Sequence, residues 1–305
     1  MNAMFFGALR QGLSALLTFV ALILLLQGML RAAPGDPIDL LPEGNENREA
    51  LSHAMRLDRN LGEVLIDTLQ GDLGESLTLR PGTPVVTLVV EAASTSAPLF
   101  ILALFSSLLI GLALSLSARA RTIGALFSAT PAFLLAFGLV SALNGLTFAA
   151  LQRGWIDRPH WFALPDQDSP FRTSLAVFVL AIASGNVGSV SAAFAAEIAR
   201  ARQSPWMEAL RARGESVTLP LLANLLPAGL SIAGSRAVYL VGGLVVTEKL
   251  LLIQGAGNLL WESCLRRDYP LALGLGLAAG ATVLGLRWLA DSARLAADPR
   301  LRGAS

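Results

Sequence analysis

Apolar residues in this chain come in long blocks separated by short polar breaks. The first block, Leu13 to Leu30, reads LSALLTFVALILLLQGML and runs into Pro34-Gly35-Asp36-Pro37. Proline there blocks helix continuation and glycine permits a tight turn. Residues 38–90 are the most polar part of the chain, with weak helical periodicity through Leu51, Met55, Leu57, Val64 and Leu65. Gly71 to Ser76 reads as a turn or extended piece, and Pro81, Gly82 and Pro84 stop any helix before Val85. Five further apolar blocks follow: Ala97–Ala118, Ile123–Phe148 with Pro131 inside it, Ser174–Ala196, Leu225–Val246 and Tyr269–Leu289. A block of roughly 20 residues crosses roughly 30 Å of hydrocarbon as a helix at 1.5 Å per residue. Backbone groups in lipid must be bonded internally, so these blocks are expected to be helices. Strand-period alternation is not seen, which argues against a β-barrel.

The pattern therefore predicts an all-α membrane protein with six transmembrane helices and an external loop region between helices 1 and 2. It divides into an N-terminal transmembrane helix at 1–30, an external (periplasmic) loop region at 31–95, a five-helix core at 96–290 and a tail at 291–305. The loop at 152–172 carries Trp155, Trp161 and Phe162, which favour the headgroup level. The fourth and sixth blocks are rich in small residues, among them Gly274, Gly276, Gly280 and Gly285, which let membrane helices approach closely. Within the core, residues 197–224 form a charged segment between the fourth and fifth blocks.

Composition agrees with the pattern. Of 305 residues, 54% are apolar and only 15% charged, where soluble domains carry about 25% charged residues. Mean hydropathy is +0.60. A formal net charge of +1 gives no electrostatic reason to expect a nucleic-acid partner. Two histidines and one cysteine exclude a His/Cys metal cluster and an internal disulfide. Cys264 reads as a packed residue, and His53 and His160 as surface or interfacial ones. Neither His-Glu-x-x-His nor Gly-x-Ser-x-Gly is present, so no catalytic residue is assigned. Gly-x-x-x-x-Gly-Lys-Ser/Thr is also absent, so ATP is not expected to be hydrolysed here.

Arg10 before the first apolar run resembles a secretory signal. The run is longer than a signal core, and no clear A-x-A-like site follows, so a retained helix is expected. With the amino terminus inside, Arg119 and Arg121 fall in a short inner connection that lacks acids. That bias favours both termini in the cytoplasm. Lys249, Arg266 and Arg267 then lie outside, against the trend.

Four motifs carry a family resemblance. They are Leu30-Arg31-Ala32-Ala33-Pro34-Gly35-Asp36-Pro37; Gly71-Asp72-Leu73-Gly74-Glu75-Ser76 followed by Pro84-Val85; Glu208-Ala209-Leu210-Arg211-Ala212-Arg213-Gly214, with Leu226-Pro227 thirteen residues past that glycine; and Ala297-Asp298-Pro299-Arg300-Leu301-Arg302. In this order they resemble the first of two paired permease subunits in the peptide/nickel (dipeptide/oligopeptide) family of ATP-driven, binding-protein-dependent importers. The resemblance implies the type I ABC importer permease fold in a bacterial inner membrane. It also implies four kinds of partner: a second homologous permease, two ATPase subunits holding ATP and Mg, an extracytoplasmic solute-binding protein and the lipid bilayer. The chain itself is expected to bind no cofactor. Two departures stand out. Leu210 occupies the third alanine-type position, and Leu226-Pro227 comes earlier than is usual in the peptide family, with Pro220 in the interval.

The chemistry of the segment can also be read directly. Trp206, Ala209, Leu210 and Arg213 fall near one face of a short helix, with Glu208 and Arg211 around it. Gly214 is placed to end it, because glycine tolerates the left-handed cap position. A short cytoplasmic helix between two membrane helices is a handle for an ATPase; otherwise it is a helix resting on lipid. Within the apolar blocks Arg236 is the exceptional ionisable residue. It could meet a solute carboxylate in a translocation pathway, or pair with a backbone carbonyl or a partner subunit. Asn186 and Asn144 are further pathway candidates. Arg31, Asp36 and Asp72 are candidates for docking a solute-binding protein, or for capping the external mouth. The alternatives are a stand-alone secondary transporter or channel, and a membrane enzyme lacking any visible polar catalytic cluster.

Overall fold

The computed structural model describes residues 2–32, 60–155, 170–183 and 185–297. The chain is all-α in these parts, apart from one isolated bridge between Glu75 and Pro84. In chain order the helices are α1 (Asn2–Ala32), α2 (Leu61–Leu69), α3 (Val85–Ser115), α4 (Ala118–Ser128), α5 (Ala132–Gln152), α6 (Pro170–Ile182), α7 (Asn186–Arg202), α8 (Pro205–Ala212), α9 (Thr218–Leu251), α10 (Ala256–Leu265) and α11 (Tyr269–Ala297). Among the described residues five helices, α1, α3, α5, α9 and α11, are long and apolar enough to cross a membrane. A sixth span is reached if α6 and α7, bent by 49° at their junction, count as one.

The helix boundaries differ from the sequence pattern where polar residues or prolines interrupt it. α3 begins at Val85 rather than near Ala97 and carries Glu91 and Pro98 within it. Its first turns are helical because Val85 and Leu88 are buried against Leu271 and Leu275 of α11. Ile123–Phe148, read as one block, is two helices. Proline disfavours helix in the residue before it, and Pro131 stands as the N-cap of α5. Ser174–Ala196 is likewise divided, with Gly185 in the left-handed region at φ 78° before Asn186. The polar stretch after Val246 holds α10, which the apolar pattern did not show. Cys264, on that helix, is exposed rather than packed.

Three further cores knit the bundle among the described residues. Leu99, Phe100 and Ala103 of α3 meet Ala176 and Leu180 of α6 and Ala237, Leu240 and Leu244 of α9. Val190, Phe194 and Ile198 of α7 pack with Leu225 of α9. Ala132 and Ala136 of α5 pack with Val179 and Ala183 at the end of α6. In lipid such contacts gain from van der Waals fit rather than from water exclusion, so close approach matters. A β-carbon added at Gly274 would stand 2.4 Å from Val85 Cγ1, and one at Gly280 2.3 Å from Leu22 Cδ2. Those two glycines are close-packing positions. Gly276 makes only ordinary contact and Gly285 faces open space.

Candidate functional site

At one end of the bundle lies α8, between α7 and α9. Pro205 opens it, a position where a missing N–H costs nothing. Glu208 is in its first turn and Arg211 in its last, each favourably placed against the helix dipole. Glu208, Ala209, Arg211, Arg213 and Gly214 are exposed, while Trp206 and Leu210 are half-buried. The buried residue is Met207, 1% exposed. It was not singled out from the sequence, because a lone methionine in a charged segment gives no periodic signal. Burying such a side chain stabilises by about 1.5–3 kcal/mol, so Met207 is the anchor of an otherwise exposed helix.

Gly214 has φ 71°, and a β-carbon there would meet nothing within 4 Å. Its N–H donates to the Arg211 carbonyl at 3.0 Å, and the Glu215 N–H donates to that of Leu210 at 3.1 Å. These bonds close the helix with a left-handed C-terminal turn. Arg213 pairs with Glu215 at 2.8 Å on the exposed side.

At mid-bundle, Arg236 and Asn186 come to the same turn of α7. Arg236 Nη1 donates to Ser189 Oγ at 2.9 Å, and the guanidinium lies 4.9 Å from the centre of the Tyr239 ring. Asn186 is 3% exposed. Its Nδ2 donates weakly to the Leu180 and Ala181 carbonyls at 3.4 Å, and its Oδ1 is buried without a donor. Asn144 is exposed on α5 and shares no hydrogen bond with either. An apolar cavity of about 250 Å³ lies among α3, α9, α10 and α11, lined in part by Phe100, Leu244, Leu260 and Leu275.

At the opposite end two carboxylates, neither singled out from the sequence, are fully buried. Glu248 accepts from Ser96 Oγ at 2.6 Å and from the Gly257 and Asn258 N–H groups at 2.8 and 3.1 Å. Ser96 Oγ in turn accepts from the Ala256 N–H at 2.7 Å. The start of α10 is thus capped by a side chain of α9 and one of α3. The close fit leaves no room for side chains: a β-carbon at Gly255 would lie 2.3 Å from Glu248 Oε1.

Asp268 takes Ser76 Oγ at 2.5 Å and the N–H groups of Leu77, Thr78 and Leu79 at 3.2, 3.1 and 3.1 Å. It stitches the segment before α3 to the turn before α11. Both carboxylates escape sequence inspection because most of their donors are backbone amides, which carry no residue signature, and their hydroxyl donors Ser96 and Ser76 lie 152 and 192 positions away. Beside them Lys249 pairs with Glu262, and Arg266 lies 3.8 Å from the same carboxylate. The Lys249 hydrogen bond holds the Glu262 carboxyl below its ordinary value of 4.5, with Arg266 adding to the effect.

Of the external candidates, Asp72 is exposed and accepts from the Gly74 N–H at 3.0 Å, shaping the turn after α2. Arg31 is in the last turn of α1, and Asp36 lies outside the described residues.

The described residues form a helical bundle with five or six helices able to span a membrane and a short exposed helix between two of the longer ones. Residues 100–303 match the family described as binding-protein-dependent transport system inner membrane component, and the chain belongs to that family of ABC-type permeases. Three relatives match along nearly their whole length. A probable peptide ABC transporter permease of Sinorhizobium fredii is 26% identical, covering 90% of this chain and 92% of its own. A putative peptide transport system permease of Brucella abortus is 24% identical over 99% of both. The dipeptide transport system permease of Haemophilus influenzae is 26% identical over 98% of this chain and 100% of its own.

Proposed function

We propose that this chain forms half of the translocation pathway of an ATP-driven, binding-protein-dependent importer for peptides or related small solutes. It pairs with a second, homologous permease. Two ATPase subunits grip α8 and pass their nucleotide-driven closure to α7 and α9. A solute-binding protein docks at the opposite end, on or near the 71–84 segment and α10. Both termini are then cytoplasmic in a bacterial inner membrane.

The observation that carries this reading is the form of α8: charged outward, anchored inward by Met207, and closed at Gly214. A helix resting on lipid would turn apolar residues outward. The outward residues here are Glu208, Ala209, Arg211 and Arg213. The peptide names of the relatives support the solute class.

The test replaces Gly214 with tryptophan. No atom of this chain stands within 4 Å of the new β-carbon, so the internal cost is the left-handed strain of roughly 1–2 kcal/mol. The variant is expected to insert and fold. Uptake into proteoliposomes is expected to fall at least tenfold, and pull-down of the ATPase by the permease to weaken. Glu208→Ala is expected to act in the same direction but more mildly, since Arg211 and Arg213 remain. Normal uptake with normal ATPase retention in the tryptophan variant would remove the coupling role. Gradient-driven uptake by the purified chain alone would favour a stand-alone secondary transporter or channel.

A further inference from the structure

Arg236 lies deep in α9, 18 residues after Thr218 and 15 before Leu251. At 1.5 Å per residue that is roughly 27 Å from one end of the helix and roughly 22 Å from the other. A cation at such depth is costly unless it meets an anion or water. Among the described residues Arg236 forms no ion pair. Its contacts are one neutral hydroxyl, Ser189 Oγ, and the face of Tyr239. Both hold the guanidinium in place without neutralising it.

The surface around it is unlike a lipid-facing one. The exposed face of α5 carries Phe133, Leu134, Phe137, Leu146 and Phe148. Arg236 itself is half-buried, and the exposed residues flanking it on α9 are Ser235, Val238, Tyr239 and Gly242. Hydroxyl groups and an absent side chain suit a polar path better than hydrocarbon. Ser189 belongs to the first turn of α7, whose amino-terminal dipole also favours negative charge. In the same turn Asn186 Oδ1 is buried and lacks a donor, an acceptor that an amide N–H would satisfy.

We infer that Arg236, held by Ser189 over Tyr239 at the start of α7, binds the carboxylate of the transported solute. This rests on the importer reading and specifies the chemistry of its pathway. The guanidinium supplies donors, the solute carboxylate accepts them, and passage exchanges one anion for the next.

The probes are dialanine and dialanine amide, which differ by the carboxylate. In the intact complex, the extent of phenylglyoxal modification of Arg236 is read by peptide mass spectrometry. Dialanine is expected to protect Arg236 severalfold, and the amide to leave it reactive. Equal protection by both, or by neither, overturns the inference. An arginine inert in the complex but reactive in the isolated chain overturns it in favour of a pair with the second permease.

Uptake of the same probes separates this result from the broader reading. The wild-type complex is expected to prefer dialanine. Arg236→Gln is expected to cut dialanine uptake at least tenfold and amide uptake far less, with the second permease still retained. Arg236→Lys is expected to restore part of the preference. Equal loss for both probes assigns Arg236 a structural role and overturns the inference. A wild-type complex that moves neither probe counts against the peptide importer, while protection still decides whether a carboxylate meets Arg236.

Discussion

The two ends of this bundle are built on opposite plans. At the α10 end, Glu248 and Asp268 are both fully buried and receive hydrogen bonds from residues 76–79, from Ser96, from residues 257–258 and from Leu271. At the α8 end the charged side chains are exposed and the helix is held by its own backbone bonds and by one buried methionine. Buried carboxylates with complete donor sets resist rearrangement, because breaking any one bond orphans a buried group. Exposed charges on a lightly anchored helix leave its outer face free for another protein. One end is made to hold its shape, and the other to be held.

The sharpest way to break the contrast is at Glu248. Glu248→Ala orphans the Gly257 and Asn258 N–H groups and the Ser96 hydroxyl, at roughly 1–3 kcal/mol for each buried group. The thermal midpoint in detergent is expected to fall further than for any substitution on the exposed face of α8. Glu248→Gln keeps one acceptor oxygen for the two amides and is expected to fall much less. Equal midpoints for the alanine variant and wild type would show that water or another group satisfies these donors.

Asp268→Ala comes next. It releases Ser76 to Leu79 from the turn before α11, and amide exchange in residues 76–84 is expected to rise at least tenfold. Asp268→Asn is not expected to rescue, since Oδ1 and Oδ2 both accept from N–H groups. Slow exchange in that segment with Asp268→Ala would mean that the apolar contact of Leu73 and Leu79 with Val85 and Leu271 holds it alone.

Met207→Ala acts at the opposite end, on α8. Removing the anchor costs about 2–5 kcal/mol locally. The bundle midpoint is expected to change little, while proteolysis between residues 203 and 216 rises and ATPase retention drops. A large fall in the midpoint would show that α8 belongs to the rigid part of the molecule.

The smallest effect is at Glu262. Its carboxyl is depressed in the folded chain, so its pairing with Lys249 stabilises fully above the ordinary value of 4.5 and is lost as pH falls below it. Because the pair is partly exposed, the contribution is expected to stay under about 1 kcal/mol and to shrink with salt. Glu262→Gln should remove that acid-limb dependence; an unchanged pH profile would assign it to other carboxylates.

Most of the scaffold was legible in the order of residues. Long apolar blocks can only be helices in a bilayer, because their amides have no other partners there. Gly214 was legible too, since a local chain rule places glycine at a left-handed helix end. The kink at Gly185, the split at Pro131 and the hidden α10 were not. The first two sit inside blocks whose mean apolarity is unbroken, and α10 is too short for a span and flanked by Thr247-Glu248-Lys249 and Arg266-Arg267-Asp268, so it passes for part of a loop.

What tertiary structure alone decided is which polar residues are buried and what satisfies them. Ser96 and Glu248 are 152 positions apart, and Ser76 and Asp268 are 192. No periodicity or spacing rule connects such pairs. A carboxylate in a polar stretch looks the same whether water or a helix start surrounds it. Local patterns determined which long stretches are helical and apolar enough to cross a membrane, because that depends on neighbours in sequence. The stitched end and the lone guanidinium of Arg236 depend on neighbours in space, which only the packed bundle supplies.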